Sequence, residues 1–95
     1  MLGYVMVGTN NLEEAIKFYK KTIEIDPTFA SAYNNLGLAL QALGNYKESI
    51  ESFNKAIELD PDYAYAYIWR SRSKFHLEDY KGAIRDLDQA IKNSS

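Results

Sequence analysis

Ninety-five residues, 46% of them hydrophobic and 25% charged, make one small globular domain with room for a modest core. A formal net charge of −2 supplies no general pull toward polyphosphate, which argues against nucleic acid as a partner. The chain has no cysteine, so disulfides and thiolate metal sites are excluded, although this does not fix the compartment.

The chain opens Met1-Leu2-Gly3-Tyr4-Val5-Met6-Val7-Gly8, apolar but short. It lacks a basic flank and a small-residue cleavage pattern, so it reads as a helix fragment near residues 2–9 and not as a leader. No stretch is long enough to cross a bilayer, and membrane insertion is not expected. The expected location is the cytoplasm. A second helix is predicted over 12–25, with Leu12, Ile16, Tyr19 and Ile23 forming one apolar stripe at helical spacing. Asn11 stands before it as a candidate N-cap, with Glu14 three residues later as a capping box requires. Pro27 ends it, since proline supplies no N–H and clashes with the preceding turn.

Helices over 30–43 and 46–59 follow. The first carries Tyr33, Leu36, Leu40 and Leu43, with Gly37 at a point of close approach. The second carries Tyr46, Ile50, Phe53 and Ile57, opens on Asn45 and Glu48, and is ended by Pro61. Tyr33, Leu36, Phe53, Ala56 and Ile57 are the expected core there. A helix over 64–77 holds the run Trp69-Arg70-Ser71-Arg72-Ser73-Lys74-Phe75-His76. Arg70 and Lys74 share one face and occupy places that are leucine one repeat earlier, so an ion pair with Asp86, or failing that Asp88, is expected. The last helix, over 80–92, follows Asp79, another candidate N-cap, and carries Tyr80, Ile84, Leu87 and Ile91. Gly82 replaces the capping-box glutamate.

These elements repeat. A shift of 34 residues brings 61 pairs together, of which 19 are identical, against about 4 for unrelated chains of ordinary composition. Asp26-Pro27 falls on Asp60-Pro61, and Ala30, Ala32 and Tyr33 fall on Ala64, Ala66 and Tyr67. The small residues Ala15 and Thr22, Ser49 and Ala56, and Ala83 and Ala90 recur beside the stripes, where they let helices approach closely.

The two-helix unit and its 34-residue period resemble the tetratricopeptide repeat. The middle copy matches best, through Tyr33, Leu36-Gly37, Gly44, Tyr46, Phe53, Ala56 and Pro61, with Ser49 where the family prefers alanine. The third copy has Arg70-Ser71 in place of Leu-Gly. The resemblance implies an all-α fold, a right-handed α-solenoid of six helices in antiparallel pairs with the first truncated. It divides one domain, 1–95, into a partial repeat 1–29, a repeat 30–63 and a repeat 64–95. Such a chain shows an incomplete first helix and no covering helix after the last, so Ile84, Leu87 and Ile91 are candidates for self-association or for cover by a longer protein.

Nothing suggests catalysis. There is one histidine, His76, and no glycine-rich phosphate loop, HExxH or GxSxG. No cofactor and no metal are expected, and the carboxylates read as solvated helix surface. Tyr19, Tyr33, Tyr46, Tyr67 and Tyr80 fall on packing positions, so the tyrosine content needs no ligand.

In the family this chain resembles, the first helix of each repeat lines a groove that holds an extended peptide. Carried over, the groove positions are Tyr4 and Val7, then Ser31, Asn34, Asn35, Leu38, Gln41 and Ala42, then Tyr65, Ile68, Trp69, Arg72, Phe75 and His76. The resemblance makes Asn35 a candidate for contact with peptide backbone, since an amide both donates and accepts. The family's carboxylate clamp for chaperone tails is matched only at Asn35. Tyr4, Tyr65 and Trp69 stand where asparagine, lysine and arginine are needed, so a chaperone C-terminal carboxylate is not the expected ligand. The expected function is a protein-binding scaffold. The alternative is a structural module that oligomerises through its ends.

Overall fold

The computed structural model describes the backbone of residues 9–94 and the side chains of residues 11–93. The described residues form five α-helices and no strand: α1 (Thr9–Ile25), α2 (Ala30–Ala42), α3 (Tyr46–Leu59), α4 (Ala64–His76) and α5 (Tyr80–Ser94). The expected helix near 2–9, with Tyr4 and Val7, lies outside the described residues apart from Thr9. Each helix packs on the next in sequence, and α2 also meets α4, so the two-helix units stack on one another.

The sequence explains the helix ends. Asp26 and Asp60 each open a proline turn in which their side chains accept the N–H two residues on, Thr28 at 3.1 Å and Asp62 at 3.1 Å. Between α2 and α3 the chain turns through Gly44 at φ 87°, where the Gly44 N–H donates to Gln41 and the Asn45 N–H to Leu40. Between α4 and α5 the same two bonds recur at Glu78 and Asp79, which forces Glu78 to φ 66°. Asn10 holds the corresponding place in the first copy but continues the helix. With no left-handed residue there, α1 begins at Thr9, so Asn11 lies inside it and cannot be its N-cap. Asn45 does occupy the N-cap of α3 but its side chain makes no cap hydrogen bond. Asp79 caps α5 by accepting the Gly82 N–H at 3.1 Å, and a Cβ at Gly82 would collide with that carboxylate.

The core is centred on Phe53, which is fully buried against Gly37 of α2; a Cβ at Gly37 would lie 2.6 Å from the ring. Ala32, Leu36, Ala39, Leu40, Ala56 and Ala66 are buried with it, as are Ala83 and Ala90 of α5. Tyr33 and Ile57, expected in the core, are only half-buried. Tyr80, also expected to pack, is 51% exposed. Its counterpart Tyr46 is covered by the His76 ring, whereas Tyr80 meets only the edge of Phe75.

Two polar clusters hold the repeats together. Gln41 Nε2 donates to the Trp69 carbonyl at 2.8 Å and to Ser73 Oγ at 2.9 Å. Ser73 and Ser49 hydroxyls lie 2.5 Å apart, and Ser49 donates onward to the Tyr46 carbonyl at 2.7 Å. With the Ser49 proton committed to Tyr46, Ser73 must donate to Ser49, so every member of this buried chain is satisfied. Ser49 therefore supplies a link that alanine could not. In the second cluster Arg70 forks onto Asp86, Nε to Oδ2 at 2.9 Å and Nη2 to Oδ1 at 2.6 Å, and Lys74 reaches Oδ2 at 3.1 Å. Arg70 Nη1 also donates to Asn54 of α3 at 2.7 Å. Asp86 is the buried partner expected from the sequence.

Candidate peptide-binding groove

The groove positions sit on α2 and α4, the first helices of adjacent repeats. Helical spacing puts Tyr65, Trp69, Arg72 and His76 along one face of α4, with Ile68 and Phe75 at its edge. Tyr65 is 65% exposed, and Trp69 is half-buried. The Arg72 guanidinium lies over the Trp69 ring, 5.7 Å from its centroid, which holds the cation beside an aromatic floor. From α2, Ser31, Asn35 and Leu38 are half-buried and Ala42 is exposed.

Two of the expected lining residues turn inward. Gln41 is buried, its amide consumed by the Trp69 carbonyl and Ser73. It supports the backbone beneath Trp69 and does not offer an amide to solvent. Asn34 is 5% exposed, and its Oδ1 has no hydrogen-bond partner. Gln41 sits where α2 meets α4, and stacking of the repeats covers it.

His76 is exposed but stacks flat on Tyr46, with centroids 4.4 Å apart and planes 5° from parallel. Phe75 is 58% exposed and lies edge-on to Tyr80. Arg72, Phe75 and His76 border a cavity of about 310 Å³ completed by Ser71, Ala83 and Leu87. Ile68 borders another of about 310 Å³ with Leu87, Ala90 and Ile91. The α4 residues thus divide: Tyr65 and Trp69 border neither of these cavities, while Ile68, Arg72 and Phe75 also border the seam between α4 and α5.

Ile84, Leu87 and Ile91 are exposed by 60%, 44% and 65%. Phe53, one repeat before Leu87, is fully buried against Gly37 of α2. Among the described residues no group of three or more histidines or carboxylates could hold a metal, and no helix is long and apolar enough to cross a membrane.

Comparison with known proteins gives a consistent picture. The family model for the tetratricopeptide repeat matches residues 30–63, and a model described as TPR repeat matches residues 3–44. No match emerges among curated proteins. Among solved structures, the TPR2B domain of yeast Sti1, in a complex with pHsp70, superposes with a TM-score of 0.86 at 33% identity, over 88% of this chain and 67% of that one. The first TPR of Spaghetti (RPAP3), bound to the HSP90 peptide SRMEEVD, gives 0.86 at 25% identity, over 88% and 67%. MamA gives 0.85 at 23% identity, a likeness of fold, and this chain spans 49% of its length. The 34-residue period, the stacked helix pairs and these matches agree: the chain belongs to the tetratricopeptide repeat family.

Proposed function

We propose that the chain is a non-enzymatic scaffold that binds an extended segment of a partner protein along the faces of α2 and α4. The observation that carries this reading is the exposed Tyr65 beside Trp69, with Arg72 held over the indole. Aromatic anchors beside one cation are a composition enriched at binding hot spots. Asn35, half-buried on α2, offers an amide for the partner's backbone. The related domains of Sti1 and Spaghetti were solved with chaperone-derived ligands, which supports peptide binding as the mode. The ligand class differs in this proposal. Tyr65 and Trp69 leave the site without the cations a terminal carboxylate needs, so it takes an aromatic or aliphatic side chain with an acidic neighbour for Arg72.

Crosslinking and pull-down supply partner segments for titration. Trp69→Ala and Asn35→Ala lose affinity, while Lys55→Ala, whose lysine pairs with Glu58 at 3.0 Å on an exposed part of α3, binds as the wild type does. Equal binding by all three variants contradicts the proposal.

A second reading has its own observation. Ile84, Leu87 and Ile91 form an exposed apolar stripe on α5, whereas Ile50 and Ile57 at the corresponding places of α3 are half-buried and Phe53 is buried. In that reading the chain is a structural module that self-associates through this end.

A further inference from the structure

Three polar side chains meet at the joint between the second and third repeats, and each stands where the other copies hold an apolar or small residue. Gln41 has Val7 and Phe75 as its counterparts, Ser73 has Val5 and Ala39, and Ser49 has Ala15 and Ala83. The repeat pattern does not call for polar groups at these places. At this joint all three are polar together, and they form the one-way chain from Gln41 through Ser73 and Ser49 to the Tyr46 carbonyl.

The Gln41 end of the chain makes a contact that its acceptor does not require. Within the continuous helix α4 the Trp69 carbonyl already takes the Ser73 N–H, yet Gln41 Nε2 donates to it as well, at 2.8 Å. The same nitrogen donates to Ser73 Oγ at 2.9 Å. The Trp69 carbonyl and the Ser73 hydroxyl belong to residues one turn apart, so a slide or a rotation of α4 on α2 breaks at least one of the two bonds. The turn held in this way carries Trp69 and Arg72, whose guanidinium lies 5.7 Å from the indole centroid. Asn35 lies on α2, the helix that bears Gln41.

We propose that Gln41 is a positioning residue for the binding groove: its buried amide holds α4 on α2 in the setting that presents Trp69 and Arg72 together with Asn35. This rests on the groove reading above and adds to it a residue that touches no ligand. A recognition surface built across two helices is only as well placed as the bonds that hold those helices in register.

Two variants separate positioning from stability, with circular dichroism to show that each stays folded. Gln41→Met keeps the length of the side chain and removes its donors, so the Trp69 contact goes while Ser73 still donates to Ser49. Ser73→Ala keeps the Gln41–Trp69 contact but leaves a buried amide proton without an acceptor, the costlier defect. Ser73→Ala is therefore the less stable of the two in urea. The order reverses at Trp69, the chain's one tryptophan, read in the free protein by acrylamide quenching and anisotropy. In Gln41→Met the indole is quenched more readily and its emission is less anisotropic than in the wild type, whereas Ser73→Ala matches the wild type. Binding is read with a capped peptide that carries phenylalanine beside aspartate. Gln41→Met weakens it about two- to tenfold, a loss bounded by the net worth of the hydrogen bonds that held the presenting state. Ser73→Ala binds as the wild type does.

Quenching in Gln41→Met equal to that of the wild type overturns the proposal, and so does a quenching order that simply follows stability. Binding lost in Trp69→Ala but kept in Gln41→Met also overturns it and leaves the groove standing. A peptide bound alike by the wild type and Trp69→Ala, or not bound by the wild type, refutes the groove and its ligand class instead, and the quenching order then decides the role of Gln41 by itself.

Discussion

Replacing Asp86 with alanine should be among the most damaging single changes available in this chain. The carboxylate is 5% exposed and receives the Arg70 fork and the Lys74 ammonium, whose side chains are 17% and 19% exposed. Its removal leaves two largely desolvated cations facing each other, and breaking a buried pair in this way costs about 3–5 kcal/mol. Against a total stability of about 5–15 kcal/mol, much of the fold would be lost. The middle repeat supplies the control. It holds Leu36, Leu40 and Ser52 in the places of Arg70, Lys74 and Asp86. The triple variant Arg70→Leu, Lys74→Leu, Asp86→Ser should then lie within about 1 kcal/mol of wild type or be more stable. Urea unfolding followed by circular dichroism measures both. A loss below about 1 kcal/mol for Asp86→Ala would mark a solvent-screened pair and refute the reasoning. A triple variant as unstable as the single one would show that the cluster fixes the packing of α5 in a way apolar residues cannot.

Phe53→Ala should cost about 3–5 kcal/mol in the same titration, because Gly37 leaves a cavity fitted to the ring; a cost below about 1 kcal/mol contradicts the packing. Glu78→Gly should stabilise the domain by about 1 kcal/mol by relieving a left-handed glutamate, and unchanged stability would count against strain at that turn. The Thr28 hydroxyl, followed by the Thr28 N–H, holds Asp26 below its usual carboxylate pKa. Its folded pKa is depressed, so its contribution is present above the unfolded value and fades as pH falls through the lowered one. Asp26→Asn should flatten the acid limb of a stability profile between about pH 5 and 2, and an unaltered limb would rule that contribution out.

The repeat was legible because its signals are local: the stripes, the proline turns and the 34-residue shift need only the sequence. The Arg70–Asp86 pair was legible too, since two cations in a leucine stripe demand a carboxylate on the facing helix. Other features depend on contacts that a period cannot reveal. The chain from Gln41 through Ser73 and Ser49 joins three helices, and in sequence Gln41 looks like any polar groove residue. Asn11 looks like Asn45 and Asp79, but the residue before it stays helical where Gly44 and Glu78 adopt positive φ. On α4, spacing assigns a broad face from Ile68 to Trp69. Where that face divides between the groove and the seam with α5 is decided by α5 itself, through Leu87 and Ala83.

Trp69 is the one tryptophan of the chain, and it sits on the proposed binding face. Its fluorescence therefore reports that face without labelling. Partner-derived segments titrated into the wild type should shift the emission in a saturable way, with the same midpoint as binding measured by calorimetry. Asn35→Ala should move that midpoint to higher concentration, and added salt should weaken it modestly through Arg72. A partner that binds by calorimetry while the Trp69 emission stays unchanged would contradict the groove as the site of recognition.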